Sequence, residues 1–416
     1  MSSLPRRVVV TGLGMVTPLG NTVEDSWRAL LAGESGAAPI TRFDATEFST
    51  RFAAEVKEFD VGEHLEPKQA RRMDRCTHLL VAAAHEAAQD AGHDVRGEAE
   101  RTGAAVGTAL GGVGSFEDTV LSMAARGPGR VSPFAIVQTL PNLAAGWMSI
   151  ELGTRGPLLA ESTACAASAM AIGDAFDAIR LGRADVMFAG GTEAPVTPVA
   201  VAGFGAMRAL STRNDAPETA SRPFDQARDG FVIAEAAAVL VLEELEHALA
   251  RDASICAELV GYGTSSDANH VSDPDPVGSN AGRALQMALT DAGITPAELG
   301  YVNAHGTSPP AGDAAEVRAL KVALGDEART TAVSSTKGAT GHTLGAAGAV
   351  EAIFTVRALQ VGVLPATLNY EDGGDDWGID LVRGEPRLEQ VEFAASNSFG
   401  FGGHNTAVVF RRWDGS

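Results

Sequence analysis

One thiol, two imidazoles and one lysine stand out among the 416 residues. Cys165 lies in Ser162-Thr163-Ala164-Cys165-Ala166-Ala167-Ser168-Ala169-Met170, with small residues on both sides. A helical apolar pattern follows at once, in Met170, Ile172, Ala175, Phe176 and Ile179. That puts the thiol on a tight turn at a helix start, where the positive end of the peptide dipoles favours thiolate. A core cysteine in an Ala-rich helix is the competing reading. His305 follows a short apolar strand directly, in Asn303-Ala304-His305-Gly306-Thr307-Ser308. Lys337-Gly338-Ala339-Thr340-Gly341-His342 lies between a strand and an Ala-rich helix, so small residues leave Lys337 and His342 unshielded. This set suits acyl transfer: the thiol takes an acyl group and the imidazoles donate to a developing oxyanion. The Gly-rich stretch Asn397-Ser398-Phe399-Gly400-Phe401-Gly402-Gly403 can bring backbone N–H groups to the same point. Four unrelated turn residues are the alternative, and spacing alone does not separate the two.

The other candidates read more simply. Cys76 and Cys256 sit among apolar neighbours as buried small hydrophobes. His64, His78, His85, His93 and His247 lie in polar or amphipathic helical contexts. There is no Cys-x-x-Cys and no His-Glu-x-x-His, which argues against zinc. No Walker loop occurs, and Gly12-Leu13-Gly14 lacks the third glycine of a dinucleotide fingerprint.

These groups need strands and helices to hold them. Buried strands are expected at Arg7–Gly12, Ala104–Thr108, Ala184–Gly191, Glu258–Gly263, Tyr301–Asn303 and Thr331–Ser335, several ending in glycine, and a long apolar run covers Ala236–Leu242. Helices are expected at Val23–Ala32, Lys68–Ala91, Asn280–Ala292 and Leu344–Leu359. The similar order of elements in each half points to an internal duplication, without any exact repeat. Charge gives 32 − 53 = −21, which argues against nucleic acid and anionic membrane as partners. No uninterrupted apolar run approaches a membrane span, and Met1–Val10 has no secretory pattern. Three cysteines are too few for a disulfide framework, so a cytoplasmic setting is expected.

The segments Ser162–Ser168, Asn303–Thr307, Lys337–His342 and Asn397–Asn405 resemble the motifs of the beta-ketoacyl-acyl-carrier-protein synthases. So do the opening Val-Val-Val-Thr-Gly-Leu-Gly, Ala209–Asn214 and Arg222-Pro223-Phe224-Asp225. The resemblance spans nearly the whole chain and is greatest to the elongating enzymes of the synthase II type. It implies an α/β thiolase-like fold of two duplicated halves in a five-layered αβαβα stack, usually dimeric. The halves would be 1–252, with the nucleophile, and 253–416, with the histidines, the lysine and the Gly-rich loop. It implies that Cys165 accepts an acyl chain from acyl carrier protein, and that His305 and His342 promote malonyl decarboxylation and stabilise the enolate. Lys337 supports the site electrostatically. The N–H groups of Cys165 and Phe401 form an oxyanion hole, with Phe401 also a gate. Leu110, Phe204, Thr307, Phe399 and Gly400 belong to the substrate pocket. Glu351 orders the site, and with Asn303 and Asn397 it holds a monovalent cation; no other cofactor or metal is implied.

The partner implied is an acidic acyl carrier protein, which a chain of this net charge would repel without a local basic patch. Lys68, Arg71, Arg72 and Arg75 cluster at the start of one expected helix, and Arg126, Arg130 and Arg208 match further docking positions. Three places depart from the pattern: Pro309 replaces a threonine that touches the phosphopantetheine arm, Ala234–Ala238 replaces a Gly-rich segment, and Gly338-Ala339 replace larger residues. They point to an alternative, a type II polyketide ketosynthase in a heterodimer with a chain-length factor instead of a homodimer. A thiolase would need a second cysteine in the terminal Gly-rich loop, and a non-catalytic chain-length subunit would usually lack Cys165.

Overall fold

In the computed structural model, which describes residues 6–373 and 377–415, strand β1 (Val8–Val16) is buried along its whole length. Its apolar and β-branched residues suit a strand covered on both faces. The first half adds β2 (Thr102–Gly107), β3 (Leu158–Glu161), β4 (Val186–Glu193) and β5 (Ala236–Glu244). The second half supplies β6 (Ala257–Ser266), β7 (Leu299–Asn303), β8 (Ala332–Ser334), β9 (Asp380–Leu381), β10 (Phe393–Gly400) and β11 (His404–Arg412). The strand order is β1-β5-β4-β2-β3 in the first half and β6-β11-β10-β7-β8-β9 in the second. Apart from the edge strand β9, both halves run first-fifth-fourth-second-third. In both, the first two junctions are antiparallel and the next two parallel. The halves thus share one topology although their sequences show no exact repeat. β1 and β6 pair only over Val8–Val10, which joins the halves edge to edge.

Helix α1 (Arg75–Ala91) covers the outer face of the first sheet, and α3 (Ser279–Ala292) and α4 (Pro310–Leu324) cover that of the second. Between the sheets lie α2 (Ala167–Arg180) and α5 (Ala347–Val361), each touching strands of both halves. The result is five layers, αβαβα. Glycines set the layer spacing. A Cβ on Gly12 or Gly14 of β1 would lie 2.4 or 1.9 Å from the carbonyl oxygen of Ala87 or Ala83 in α1. Gly261 and Gly263 of β6 meet Ala288 and Ala284 of α3 in the same way, at 2.2 Å each. The segment Leu344–Val361 is long and apolar enough to cross a membrane, but 83% of it is buried between the sheets. Its Ala and Gly residues let α5 pack tightly against α2.

Three expectations need correction. The helix expected over Lys68–Ala91 is two, Pro67–Ala70 and α1, because Asp74 caps α1 by accepting from the Cys76 N–H at 3.0 Å. Cys256 is only half-buried, and it lines a solvent-reached hollow with Arg357 and Gln360. Strands β1 and β6 run further than their apolar cores, to Val16 and Ser266.

Candidate active site

Cys165 occupies the 3-10 turn Ala164–Ala166 that opens α2, and Ala164 is held at φ 52°. A non-glycine residue there costs about 1 kcal/mol or more, so the surroundings enforce the sharp turn. The equivalent turn of the second half, Leu344–Ala346, opens α5 with Leu344 at φ 46°. His342 lies two residues before it, and His342 Nε2 lies 3.0 Å from Cys165 Sγ. His305, at the end of β7, meets the His342 ring edge-on with centroids 5.5 Å apart. Its turn is fixed from α4, where Glu316 accepts the N–H groups of His305 and Gly306 at 2.7 and 2.6 Å. Asp313, one helical turn earlier, accepts those of Ser308 and Phe224.

The side chains surround a cavity of about 230 Å³. Cys165, His305 and His342 share its walls with Phe204, Thr307, Pro309, Phe399 and Phe401. A second hollow shares His305, Thr307, Phe399 and Phe401 with it, is also lined by Gly400, and opens toward Asp267 and His270. A Cβ on Gly400 would lie 2.3 Å from the Thr163 carbonyl oxygen and 3.4 Å from the Cys165 nitrogen, so the Gly-rich loop abuts the nucleophile's backbone. Phe401, 39% exposed, stands at the mouth.

Electrostatics follow from enclosure. Burial pushes the Cys165 thiol up to about 12, against a lowering pull from Lys337. Loss of solvent thus opposes the thiolate that the helix start favours, and it is the larger of the two pushes. Burial and the Lys337 charge push both His305 and His342 well below the usual imidazole range, so both rings are neutral. Lys337 is not open to the cavity, as its small neighbours had indicated. It is 1% exposed and forms an ion pair with Glu351 of α5. Burial pushes Glu351 up to about 7, with Lys337 pulling it down. Asn303 Oδ1, Asn397 Oδ1 and Glu351 Oε2 are buried with no hydrogen-bond partner, a donor set that fits a monovalent cation.

Other expected residues separate. Leu110 does not line the cavity; it is 37% exposed on the turn after β2, where its N–H is tied to Glu193. Lys68, Arg71, Arg126, Arg130 and Arg208 are exposed, and the Arg72 guanidinium lies over Phe134. Arg75 drops out of that basic group because Glu235 binds it through two hydrogen bonds of 2.9 Å. Sequence reasoning missed Glu193, Asp313 and Glu316, buried carboxylates that hold catalytic loops by their backbones. Acidic residues inside otherwise apolar segments were the signal.

The chain matches the family models for the beta-ketoacyl synthase N-terminal domain over residues 5–248 and the C-terminal domain over 256–371. It is 51% identical over 409 residues to 3-oxoacyl-[acyl-carrier-protein] synthase 2 of Vibrio harveyi, covering 98% of this chain and 99% of that one. A beta-ketoacyl synthase from Burkholderia phymatum superposes with a TM-score of 0.92 at 39% identity, over 98% of this chain and all of that one. A ketosynthase solved in complex with its type II polyketide acyl-carrier protein and bound to a hexaketide superposes with 0.92 at 33% identity, over 99% and 100%. These ketosynthase neighbours carry the thiolase-like fold expected from the motifs. With a thiol and two neutral imidazoles around one cavity on that fold, the chain belongs to the beta-ketoacyl synthase family of condensing acyltransferases.

Proposed function

We propose that the chain elongates fatty acids as a 3-oxoacyl-[acyl-carrier-protein] synthase, and that Cys165, His305, His342 and Lys337 are its working residues. The contact of His342 Nε2 with Cys165 Sγ at 3.0 Å, in a cavity that His305 shares, carries this reading. Cys165 attacks an acyl thioester on acyl carrier protein; its proton leaves to the departing carrier thiol, and the acyl group becomes a thioester of Cys165. Malonyl carrier protein then loses carbon dioxide, leaving an enolate whose oxygen accepts hydrogen bonds from the neutral rings of His305 and His342. The enolate carbon attacks the acyl-Cys165 carbonyl, and the oxyanion is met by the N–H groups of Cys165 and Phe401. Collapse releases the 3-oxoacyl carrier protein and expels Cys165 as a thiolate, which takes up a proton from solvent to restore the thiol. Lys337 keeps both imidazoles neutral and supports the thiolate from within the core. A monovalent cation held by Asn303, Asn397 and Glu351 would offset carboxylate charge beside Lys337.

Intact mass after incubation with a long-chain acyl carrier protein tests the assignment. One acyl group is expected, mapped to Cys165 and absent from C165A; acylation of Cys76 or Cys256 would refute it.

The exposed apolar face supports a homodimer. Phe116, Leu121, Ile136, Ile150 and Leu158 are exposed on adjoining helices and on the edge strand β3. Polyketide extension with a chain-length factor is the second reading, and the higher identity to the fatty-acid enzyme favours elongation.

A further inference from the structure

The shared topology makes Gly345 the counterpart of Cys165. Each follows the positive-φ residue of its turn, Leu344 and Ala164, and each turn opens a central helix. The turn after β2 is likewise the counterpart of the His305 turn after β7. In both, two consecutive amides donate to a buried carboxylate. His305 and Gly306 donate to Glu316, whereas Ala109 and Leu110 donate to Glu193 at 2.6 and 3.1 Å. Glu193 goes further. Its Oε2 also accepts the Gly345 N–H at 3.1 Å. That amide is the counterpart of the Cys165 N–H, which in the proposed function meets the substrate oxyanion. A Cβ on Gly345 would lie 2.5 Å from this carboxylate oxygen, so the contact excludes any side chain there. Glu193 is fully buried at the end of β4, and the reaction as written does not use it.

We propose that Glu193 is a positioning residue whose carboxyl oxygens occupy the duplicated counterpart of the oxyanion site. It ties the Ala109–Leu110 turn to the Leu344–Ala346 turn beside His342 and so fixes the cavity wall formed by Leu344. Burial raises its carboxyl to about 7, while the three N–H donors pull it down. The titratable groups that face it are Asp74 and Cys76 on the outer helix and Cys165 on the inner one. The inference rests on the proposed role of the Cys165 amide, but the carboxylate's contacts can be measured without the reaction.

The test is rescue by a small anion. In E193A the nest is empty, and condensation should fall about a hundredfold, as misplaced catalytic groups do. Sodium formate should restore it saturably, with no effect on the unchanged enzyme. E193Q, whose amide fills the space, should be slow and not rescued. A folded E193A that condenses normally, or whose loss formate leaves untouched, overturns the proposal. If E193A does not fold, amide exchange of E193Q decides. The amides of 109, 110 and 345 should exchange about tenfold faster than in the unchanged protein while β2 stays protected. No such increase also overturns the proposal. Faster exchange in a protein whose unchanged form cannot condense would count against the proposed function instead.

Discussion

At Cys165 two effects oppose each other, and the enclosed setting wins. A thiol pushed up to about 12 by burial should alkylate with iodoacetamide at a rate that climbs about tenfold per pH unit from neutrality to pH 9, without a plateau. A plateau near pH 7 would mean a thiolate at rest. His305 and His342 are held well below the usual 6.5, so malonyl decarboxylation should stay level as pH falls through that value and decline only below it. H305A and H342A should each lose about a hundredfold or more in decarboxylation while Cys165 still accepts some acyl group. Near-normal decarboxylation by either would remove it from the mechanism. Lys337 acts from the core. K337A leaves Glu351 buried without its cation, so chemical denaturation should show a loss of about 3–5 kcal/mol. The reacting residues were legible because thiol and imidazole have no substitutes and sit among small residues that mark sharp turns. Glu193 and Glu316 were not, because they bind backbone amides, which carry no residue signature. Glu193 reaches partners 84, 83 and 152 positions away.

The strands were legible as apolar runs ending in glycine, since a strand buried on both faces tolerates little else. Their order was not, because pairing is decided between residues far apart in the chain. The broken helix before α1 shows a subtler limit. The apolar period runs on through residues 68–91, yet the Asp74 carboxylate takes the Cys76 N–H and also the Ser115 N–H at 2.9 Å, which starts a new helix there. Layer spacing is set by the glycines of β1 and β6 against α1 and α3. G14A and G263A each drive a methyl group into a helix carbonyl that cannot yield, at 1.9 and 2.2 Å. Each should cost about 1–3 kcal/mol in thermal denaturation, and similar losses would show the equivalence of the halves. A loss at one glycine only would mean that the two interfaces differ in tightness.

Across the whole molecule, net charge and local charge act in opposite directions. With −21 overall, an acidic partner is repelled at long range, so attraction needs a local basic patch, for which the exposed Lys68, Arg71, Arg126, Arg130 and Arg208 and the half-exposed Arg72 are the candidates. Reversing Arg72 and Arg208 together should raise the KM for acyl carrier protein and flatten its salt dependence, leaving acylation by a small thioester unchanged. Equal losses with both substrates would make these arginines structural. The halves were legible only as a vague parallel, because topology outlasts sequence identity when many apolar residues satisfy the same strand. The central layer has one more consequence. Cys165 and His342 stand at the starts of helices clamped between the two sheets and His305 at the end of a buried strand, whereas Phe204 sits on a short peripheral helix and Pro309 and Phe401 on loops. Descendants of this architecture can therefore exchange one acyl group for another by altering the loops, while inheriting the carbon–carbon bond-forming step unchanged.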